Sequence, residues 1–243
     1  GDSIFIRSDF CGCNVLIDTG GSVSYHPGEN VARYLKSTQI SGIDLLFITH
    51  ADIDHAGDYN YILDNFSVRT IVFNAYEENK LYREILNKAQ RLKINILKVT
   101  AYNKVNCKDL SFFILGPKEK NNTVNDNSLV LFFVFNGDAY LFSGDANMDD
   151  ISVMNDRLDF YKVSHHGSKY QTKAEFLRKV FIENAIISVG KNPYNHPSDI
   201  LLRLFDLYGI TYYRTDLDGS VHVKYYLRKK RMIYINKPHN INK

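Results

Sequence analysis

The chain alternates between short continuous apolar runs and segments in which apolar residues recur at helical spacing. The continuous runs are typical of buried strands, and the spaced residues are typical of helices that cover a sheet. In the first half, strands are predicted at residues 43–48, 70–73 and 94–99, and helices at residues 28–37, 59–66 and 77–92. This alternation predicts an α/β fold with a largely parallel sheet.

Hairpins add antiparallel strands to this pattern. Residues 4–7 and 14–18 flank a tight turn, residues 104–115 suggest a second hairpin, and Asn136-Gly137 joins two strongly apolar strands. Asn-Gly favours the positive φ angles of a two-residue hairpin turn. Further along, strands are predicted at residues 160–164 and 184–189, and helices at residues 172–180 and 199–208.

Composition narrows the class of protein without identifying its chemistry. The 243 residues with 44 % hydrophobic content can bury the core of one domain, and a net charge of +3 neither requires nor excludes a polyanionic substrate. No apolar run reaches the ~18 residues of a membrane span. Because the chain begins without Met on a strand-like segment, we expect a domain excised from a longer protein.

The three cysteines do not predict a disulfide framework. Their number is odd, and Cys11 and Cys13 are too close to pair without straining the backbone. These two residues flank Gly12 in a hairpin turn, so they are ordinary turn residues or, alternatively, part of a soft-metal site.

The run at residues 43–48 ends in four potential metal ligands within six residues, namely His50, Asp52, Asp54 and His55. Ligand sites in α/β proteins collect beyond the carboxyl ends of buried strands. Side chains two residues apart point the same way on an extended chain, so His50 and Asp52 can share one ion, while Asp54 and His55 turn toward a second. The alternative is that Asp54 caps a helix and the histidines are incidental.

Two later strands also end in residues that can bind metal. Ser143-Gly144-Asp145 follows an apolar strand, and His165-His166 terminates the strand at residues 160–164. Neighbouring side chains diverge, so one histidine can bind metal while the other meets substrate. We favour His165 as the ligand, with the reverse assignment open.

These motifs carry a family resemblance. The stretch from His50 to His55 resembles the His-x-His-x-Asp-His signature of the metallo-β-lactamase superfamily, with Asp52 in the place of the second histidine. That variant, together with the later motifs, resembles the C-terminal β-lactamase-like domain of the ComEC competence proteins over roughly residues 1–224. The chain has no histidine between His55 and Asp145, where most superfamily members place one, and Asn127-Ser128 occupies that region.

The resemblance implies a fold, a ligand set and further site residues. The fold is α/β, a metallo-β-lactamase αβ/βα four-layer sandwich, as one domain over residues 1–243. Two divalent ions, Mn²⁺ or Zn²⁺, are expected per chain. One ion is assigned to His50, Asp52 and Asp145, and the other to Asp54, His55, Asp145 and His165. Asp18 is expected to support the metal loop, Asp54, His166 and His196 to be catalytic, and Asn127, Ser128, Ser168, Lys191 and Arg214 to contact substrate.

The implied activity is hydrolysis of DNA phosphodiesters by metal-activated water, which degrades the non-transported strand during DNA uptake. The expected location is the extracytoplasmic face of the bacterial cell membrane. Expected partners are single-stranded DNA, a membrane-embedded channel in the same polypeptide and other DNA-uptake proteins, with the isolated domain a monomer. One alternative is a hydrolase of the same fold that acts on another phosphoester or a lactone. The other is a DNA-binding module whose metal site has decayed.

Overall fold

A computed structural model of the protein describes residues 1–8, 12–23, 26–149, 151–226 and 230–236. The chain forms two compact units. The first unit comprises Gly1–Leu131 and Gly144–Ala146, and the second comprises Phe132–Ser143 and the described residues from Asn147 onward. The expectation of a single domain over residues 1–243 stays a prediction.

The first unit contains a five-stranded sheet. In spatial order its strands are β1 (Ile4–Ser8), β2 (Cys13–Ile17), β3 (Gly42–Ile48), β4 (Ser67–Asn74) and β5 (Asn95–Val99). The first pair is antiparallel and the remaining pairs are parallel. The helices of this unit are α1 (Gly28–Ser37), α2 (Ile53–Ala56), α3 (Tyr59–Asn65) and α4 (Lys80–Arg91), and an antiparallel hairpin follows as β6 (Lys104–Cys107) and β7 (Leu110–Gly116).

Strand β3 is covered on both faces, as its continuous apolar run predicts. Leu46 and Ile48 join the core cluster that the helices cover, while the ring of Phe47 lies 5.1 Å from that of Phe112 on β7. Because β2, β3 and β4 run parallel, their carboxyl ends meet at one edge of the sheet. The polar residues that follow these three strands are therefore brought together.

The second unit is built around four parallel strands in the order β9 (Asp138–Phe142), β10 (Arg157–Lys162), β11 (Phe181–Ile187) and β12 (Thr211–Arg214). Strand β8 (Val130–Phe135) begins in the first unit and enters the second, where Asn136 and Gly137 turn the chain with φ angles of 52° and 92°. This turn confirms the predicted Asn-Gly hairpin. The other elements are α5 (Ala174–Lys179), α6 (Asp199–Leu207), α7 (Thr215–Asp218), β13 (Ser220–Tyr226) and β14 (Lys230–Asn236).

The hairpin of β13 and β14 is tied to the parallel strands by a polar cluster. Arg231 forms ion pairs with Asp138 and Glu183, and the Tyr225 hydroxyl donates a hydrogen bond to Asp138 at 2.6 Å. Burial and this hydrogen bond hold the pKa of Tyr225 well above its usual value of 10. Within the basic run at residues 228–231, the described side chain of Arg231 is thus committed to the protein, while Arg228 and Lys229 lie outside the described residues.

A disulfide joins Cys13 on β2 to Cys107 on β6. The prediction of no disulfide framework is therefore wrong, because two cysteines 94 residues apart leave no spacing signal in the sequence. Cys11 lies outside the described residues. Within the described part of the chain, no helix has the length and apolar character needed to cross a membrane.

Candidate metal centre

Three side chains of the first unit converge just beyond the ends of its strands. His50, His55 and Asp145 each offer a ligand atom, and these atoms lie within 4.8 Å of one another. The two imidazole rings have centroids 4.2 Å apart, and His55 Nε2 lies 3.2 Å from Asp145 Oδ1. All three residues are almost completely buried. This grouping follows from the motif at the end of β3 and from the Ser-Gly-Asp turn.

Asp18 fixes the orientation of His55. Its Oδ1 accepts the backbone N–H of Thr49 at 2.8 Å, while its Oδ2 lies 2.8 Å from His55 Nδ1 and accepts the Thr49 hydroxyl at 2.7 Å. With Nδ1 bound to this carboxylate, Nε2 is the atom presented to Asp145. Histidine ligands in metal sites are commonly oriented by such a carboxylate on the other ring nitrogen.

Ser128 holds His50 and Asp145 together. Its Oγ lies 3.0 Å from His50 Nδ1 and accepts the backbone N–H of Asp145 at 3.1 Å. Gly144 makes this approach possible, since a Cβ atom at that position would lie 2.9 Å from the Ser128 Cβ and its φ angle of +50° favours glycine. A small residue before Asp145 is therefore a geometric requirement of the cluster.

The cluster carries excess negative charge. Burial alone would lower the pKa of His55, but the carboxylates of Asp145, Asp2 and Asp18 raise it well above its usual value of 6.5. Asp2 is buried, its Oδ2 lies 3.8 Å from His55 Nδ1, and its backbone N–H donates to the Asp54 carbonyl at 3.0 Å. Buried negative charge needs a cation nearby, either a proton on His55 or a bound metal ion.

The donor set fits a divalent metal ion. Imidazole nitrogens combined with a carboxylate oxygen suit Zn²⁺, Mn²⁺ and Fe²⁺, and each of the two imidazoles has its Nδ1 beside a polar side chain that orients the ring. The structure thus satisfies both requirements of such a site, a compact group of donors and partners that hold them.

The other two predicted ligands of this loop lie further out. Asp52 is exposed and forms the N-cap of α2, where its Oδ1 accepts the Ile53 N–H at 3.2 Å. The Asp54 side chain is 42 % exposed, and its Oδ2 lies 3.9 Å from His55 Nε2. The metal-binding roles of Asp52 and Asp54 stay predictions.

The second unit brings together the three remaining predicted histidines. The ring of His165 lies 6.1 Å from that of His166 and 5.5 Å from that of His196. His166 Nδ1 donates to the Ser188 carbonyl at 2.7 Å. Both His165 and His166 have positive φ angles, of 49° and 53°, and such strained backbone in residues other than glycine clusters at functional sites. The choice between His165 and His166 as the ligand stays open.

The predicted substrate-contacting residues differ in their surroundings. Lys191 is exposed, whereas the Arg214 guanidinium donates two hydrogen bonds to Asp216, at 3.1 and 2.7 Å. Ser168 is buried, and its Oγ accepts the Tyr170 N–H at 3.3 Å. Asn127 is also buried and accepts the Asn121 N–H at 2.7 Å, which organises its own loop. Their contacts with substrate, and that of Ser128, stay predictions.

Several residues around the cluster were not singled out from the sequence. Asp2 has no motif around it, and its approach to His55 depends on the packing of the chain start against the ligand loop. Glu77 follows β4 and accepts the Ala51 N–H at 3.0 Å. The one usable signal was that polar residues after β4 must lie beside those after β3, because the two strands are parallel neighbours.

Comparison with known proteins identifies relatives in sequence. The family described as the metallo-beta-lactamase superfamily matches residues 1–191. The chain is 33 % identical over 246 aligned residues to ComE operon protein 3 of Bacillus subtilis, covering 93 % of this chain and 32 % of that protein. It is 29 % identical to Recombination protein 2 of Haemophilus influenzae, covering 88 % of this chain and 26 % of that protein. The chain thus spans between a quarter and a third of these relatives' length.

Solved structures share the fold at low sequence identity. The diiron β-hydroxylase CmlA from Streptomyces venezuelae matches with a TM-score of 0.59 and 17 % identity, over 88 % of this chain and 51 % of that chain. The metallo-β-lactamase fold protein YhfI from Bacillus subtilis matches with a TM-score of 0.57 and 8 % identity, over 97 % and 91 % of the two chains. Zn²⁺-bound PqqB from Methylobacterium extorquens matches with a TM-score of 0.57 and 10 % identity, over 89 % and 86 %. The predicted fold class and the predicted resemblance to the competence family are confirmed.

Proposed function

The chain belongs to the metallo-β-lactamase superfamily, and from this premise we propose that it is a metal-dependent nuclease that degrades one strand of DNA during DNA uptake. The observation that carries the proposal is the buried cluster of His50, His55 and Asp145, with its ligand atoms within 4.8 Å of one another. A cluster of this kind is suited to metal-assisted hydrolysis rather than to binding alone.

The proposed hydrolysis needs both a bound metal ion and protein side chains that hold the ligands. A bound divalent ion supplies an activated water and stabilises the charge that develops on the phosphate. Asp18 and Ser128 hold the two imidazoles so that the donor atoms converge. We assign to Asp54 the orientation of the attacking water and the removal of its proton, supported by its half-exposed side chain and the 3.9 Å between its Oδ2 and His55 Nε2.

We propose two ions, Mn²⁺ or Zn²⁺, per chain. Support comes from the number of predicted ligands beyond the cluster of three, and from relatives whose names record a diiron centre in CmlA and bound Zn²⁺ in PqqB. An aspartate at position 52 in place of the usual histidine shifts the donor set toward oxygen, which favours Mn²⁺.

The proposed substrate is single-stranded DNA. Two sequence relatives are named ComE operon protein 3 and Recombination protein 2, and both are much longer than this chain. Exposed Lys191 can neutralise phosphates, and the exposed rings of Tyr170 and Tyr194 can stack on unpaired bases.

The proposed location is the extracytoplasmic face of the cell membrane. Disulfides persist in oxidising compartments, and the bond between Cys13 and Cys107 supports a site of action outside the cytoplasm. There the domain works beside a membrane channel of the same polypeptide and with other DNA-uptake proteins, and we expect the isolated chain to be a monomer.

The test combines metal analysis with a cleavage assay. The purified chain is loaded with Mn²⁺, Zn²⁺ or Mg²⁺, its metal content is measured, and end-labelled single-stranded and double-stranded DNA are offered separately. We expect close to two ions per chain and faster cleavage of the single strand with Mn²⁺, both lost in Asp145→Ala. Metal-loaded protein that cleaves a phosphoester or a lactone but not DNA contradicts the proposed substrate. If the protein binds DNA but takes up no metal, the proposal that it is a metal-dependent enzyme is wrong.

A further inference from the structure

The loop between β4 and α4 reaches across to the ligand loop that follows β3. Asn74 is the last residue of β4, and Glu77 and Asn79 precede α4. Asn74 is fully buried and Glu77 is 5 % exposed. These three side chains, which we call the backbone clamp, contact the main chain of residues 49–51.

The contacts of the backbone clamp centre on Ala51. Glu77 Oε2 accepts the Ala51 N–H at 3.0 Å, and Asn79 Nδ2 donates to the Ala51 carbonyl at 2.6 Å. Asn74 Nδ2 supports Glu77 from the side, at 3.3 Å from its Oε2, and lies 3.4 Å from the Thr49 carbonyl. Both peptide groups of Ala51 are therefore held by side chains rather than by a sheet or a helix.

The contacts with Ala51 bear on the metal site because of where Ala51 lies in the chain. Ala51 lies between His50 of the metal cluster and Asp52 at the N-cap of α2. Fixing the planes of its two peptide groups fixes the direction in which His50 and Asp52 leave the backbone. Asn79 also caps α4, since its Oδ1 accepts the Tyr82 N–H at 2.9 Å, so the clamp is anchored in a helix rather than in a mobile loop.

Burying the Glu77 carboxylate costs desolvation free energy, and holding the loop for structural reasons alone would not require a charged group. A neutral side chain can accept a backbone N–H, whereas burying a carboxylate among neutral donors is unfavourable. A hydrogen bond to a charged acceptor is shorter and stronger than a neutral one, which gives a stiffer constraint. Stiffness of the ligand loop is what a metal site gains from this choice.

We propose that Glu77, together with Asn79, is a positioning residue for the metal site and acts through the Ala51 peptides on His50 and Asp52. This inference rests on the metal-binding part of the proposed function. Neither residue contacts the cluster itself, so their effect passes through the backbone. Outer-shell partners of metal ligands typically contribute about 10- to 100-fold to metal affinity.

The test measures Mn²⁺ affinity by isothermal titration in three variants. Glu77→Gln keeps an oxygen that can accept the Ala51 N–H, and Glu77→Met keeps the size of the side chain without the acceptor. Asn79→Asp keeps the acceptor that caps α4 but loses the donor to Ala51. We expect Glu77→Met to weaken Mn²⁺ binding by about 10- to 100-fold and Asn79→Asp to weaken it clearly. Glu77→Gln keeps the acceptor but loses the charge, so its Mn²⁺ affinity should fall between those of Glu77→Met and the parent chain.

A matched control separates positioning from general loss of stability. Asn184→Leu removes a different buried hydrogen bond, that from Asn184 Nδ2 to the Asp159 carbonyl at 3.1 Å, and is expected to lower the melting temperature without changing Mn²⁺ affinity. Amide hydrogen exchange at residues 49–53 gives a readout that needs no metal. Exchange there should become faster in Glu77→Met and stay unchanged in the control variant.

The outcomes are distinct. Unchanged Mn²⁺ affinity in Glu77→Met and Asn79→Asp, with or without a lower melting temperature, overturns the positioning role. If Glu77→Met does not fold, Asn79→Asp decides alone, because its helix cap is retained. If the parent chain binds Mn²⁺ but cuts no DNA, the proposed nuclease activity is wrong. The positioning role of Glu77 is then still decided by the Mn²⁺ affinities of the variants. A parent chain that binds no divalent metal refutes both.

Discussion

His55 Nδ1 and Asp18 Oδ2 lie 2.8 Å apart, with both side chains almost completely excluded from solvent. Asp18 directly follows strand β2 and His55 lies in α2, so this one contact links the sheet edge to the ligand loop. The orientation of His55 therefore depends on a buried carboxylate outside the group of His50, His55 and Asp145.

Asp18→Asn is expected to lower Mn²⁺ affinity and kcat by about 10- to 100-fold with little change in the KM for DNA, because the amide weakens the orienting contact with His55. Isothermal titration and steady-state cleavage measure the two effects. Asp44→Asn is the control, since Asp44 accepts one backbone N–H, that of Asn14 at 2.9 Å, on the same sheet. Equal losses in both variants would show that Asp18 matters for stability only.

Asp54→Ala is expected to abolish DNA hydrolysis while DNA binding stays largely intact. The half-exposed carboxylate near His55 Nε2 is assigned to the attacking water, and general-base contributions are worth about 10²- to 10⁴-fold in rate. Phosphate contacts remain, so DNA affinity should still fall as salt rises. Asp52→Ala should be milder or depend on the metal used. Cleavage by Asp54→Ala at the parent rate under saturating Mn²⁺ would rule out this mechanism.

Gly144→Ala is expected to weaken metal binding, because the added Cβ would lie 2.9 Å from the Ser128 Cβ and displace the turn that carries Asp145. Gly137→Ala is the matched control, since Gly137 also has a positive φ but its Cβ would meet nothing within 4 Å. Both variants pay a backbone strain of about 1–3 kcal/mol. Chemical denaturation should show a loss of stability in both variants, whereas metal titration should show weaker binding only in Gly144→Ala.

Removing the disulfide is expected to destabilise the chain substantially. The Cys13→Ala, Cys107→Ala double variant should lose about 2–5 kcal/mol of unfolding free energy. Urea unfolding with and without dithiothreitol measures the effect. The reductant should destabilise the parent chain and leave the double variant unchanged, and a parent chain indifferent to dithiothreitol would argue against the bond.

Stability is expected to fall at alkaline pH because Tyr140 and Tyr225, whose hydroxyls are hydrogen-bonded to each other, resist ionisation. Burial raises the pKa of Tyr225 and of Tyr140 above the ordinary value of 10, so the folded state keeps protons that the unfolded chain releases. The contribution of these two tyrosines to the unfolding free energy should therefore be constant below about pH 9 and decline above about pH 10. Urea titrations across this range should show a shallower decline in Tyr225→Phe.

The sequence predicts most elements of the fold because their signals are local. The apolar run of β3 was placed within one residue of its observed ends, and the turn at Asn136-Gly137 follows from residue preference alone. Helix α2 was not predicted, since its four residues are too few to display a helical period. The disulfide was also missed, because nothing near Cys13 or Cys107 indicates that β2 and β6 come together.

The candidate site divides in the same way. His50, His55 and Asp145 were singled out because each follows a strand, and the structure brings their ligand atoms together. The side chains that hold them could not be recognised, because their roles depend on contacts between segments far apart in the chain. Asp2 and Glu77 are such residues, and no motif surrounds either one.

The bond between Cys13 and Cys107 also has a mechanical consequence. It closes a ring over a sequence separation of 94 residues, and this ring contains the whole stretch from His50 to His55. A pulling force applied to the chain before Cys13 and after Cys107 is carried by the sulfur bridge, so the segment inside the ring bears no tension. Tension applied on either side of the ring can therefore stretch the flanking chain without drawing out the ligand loop.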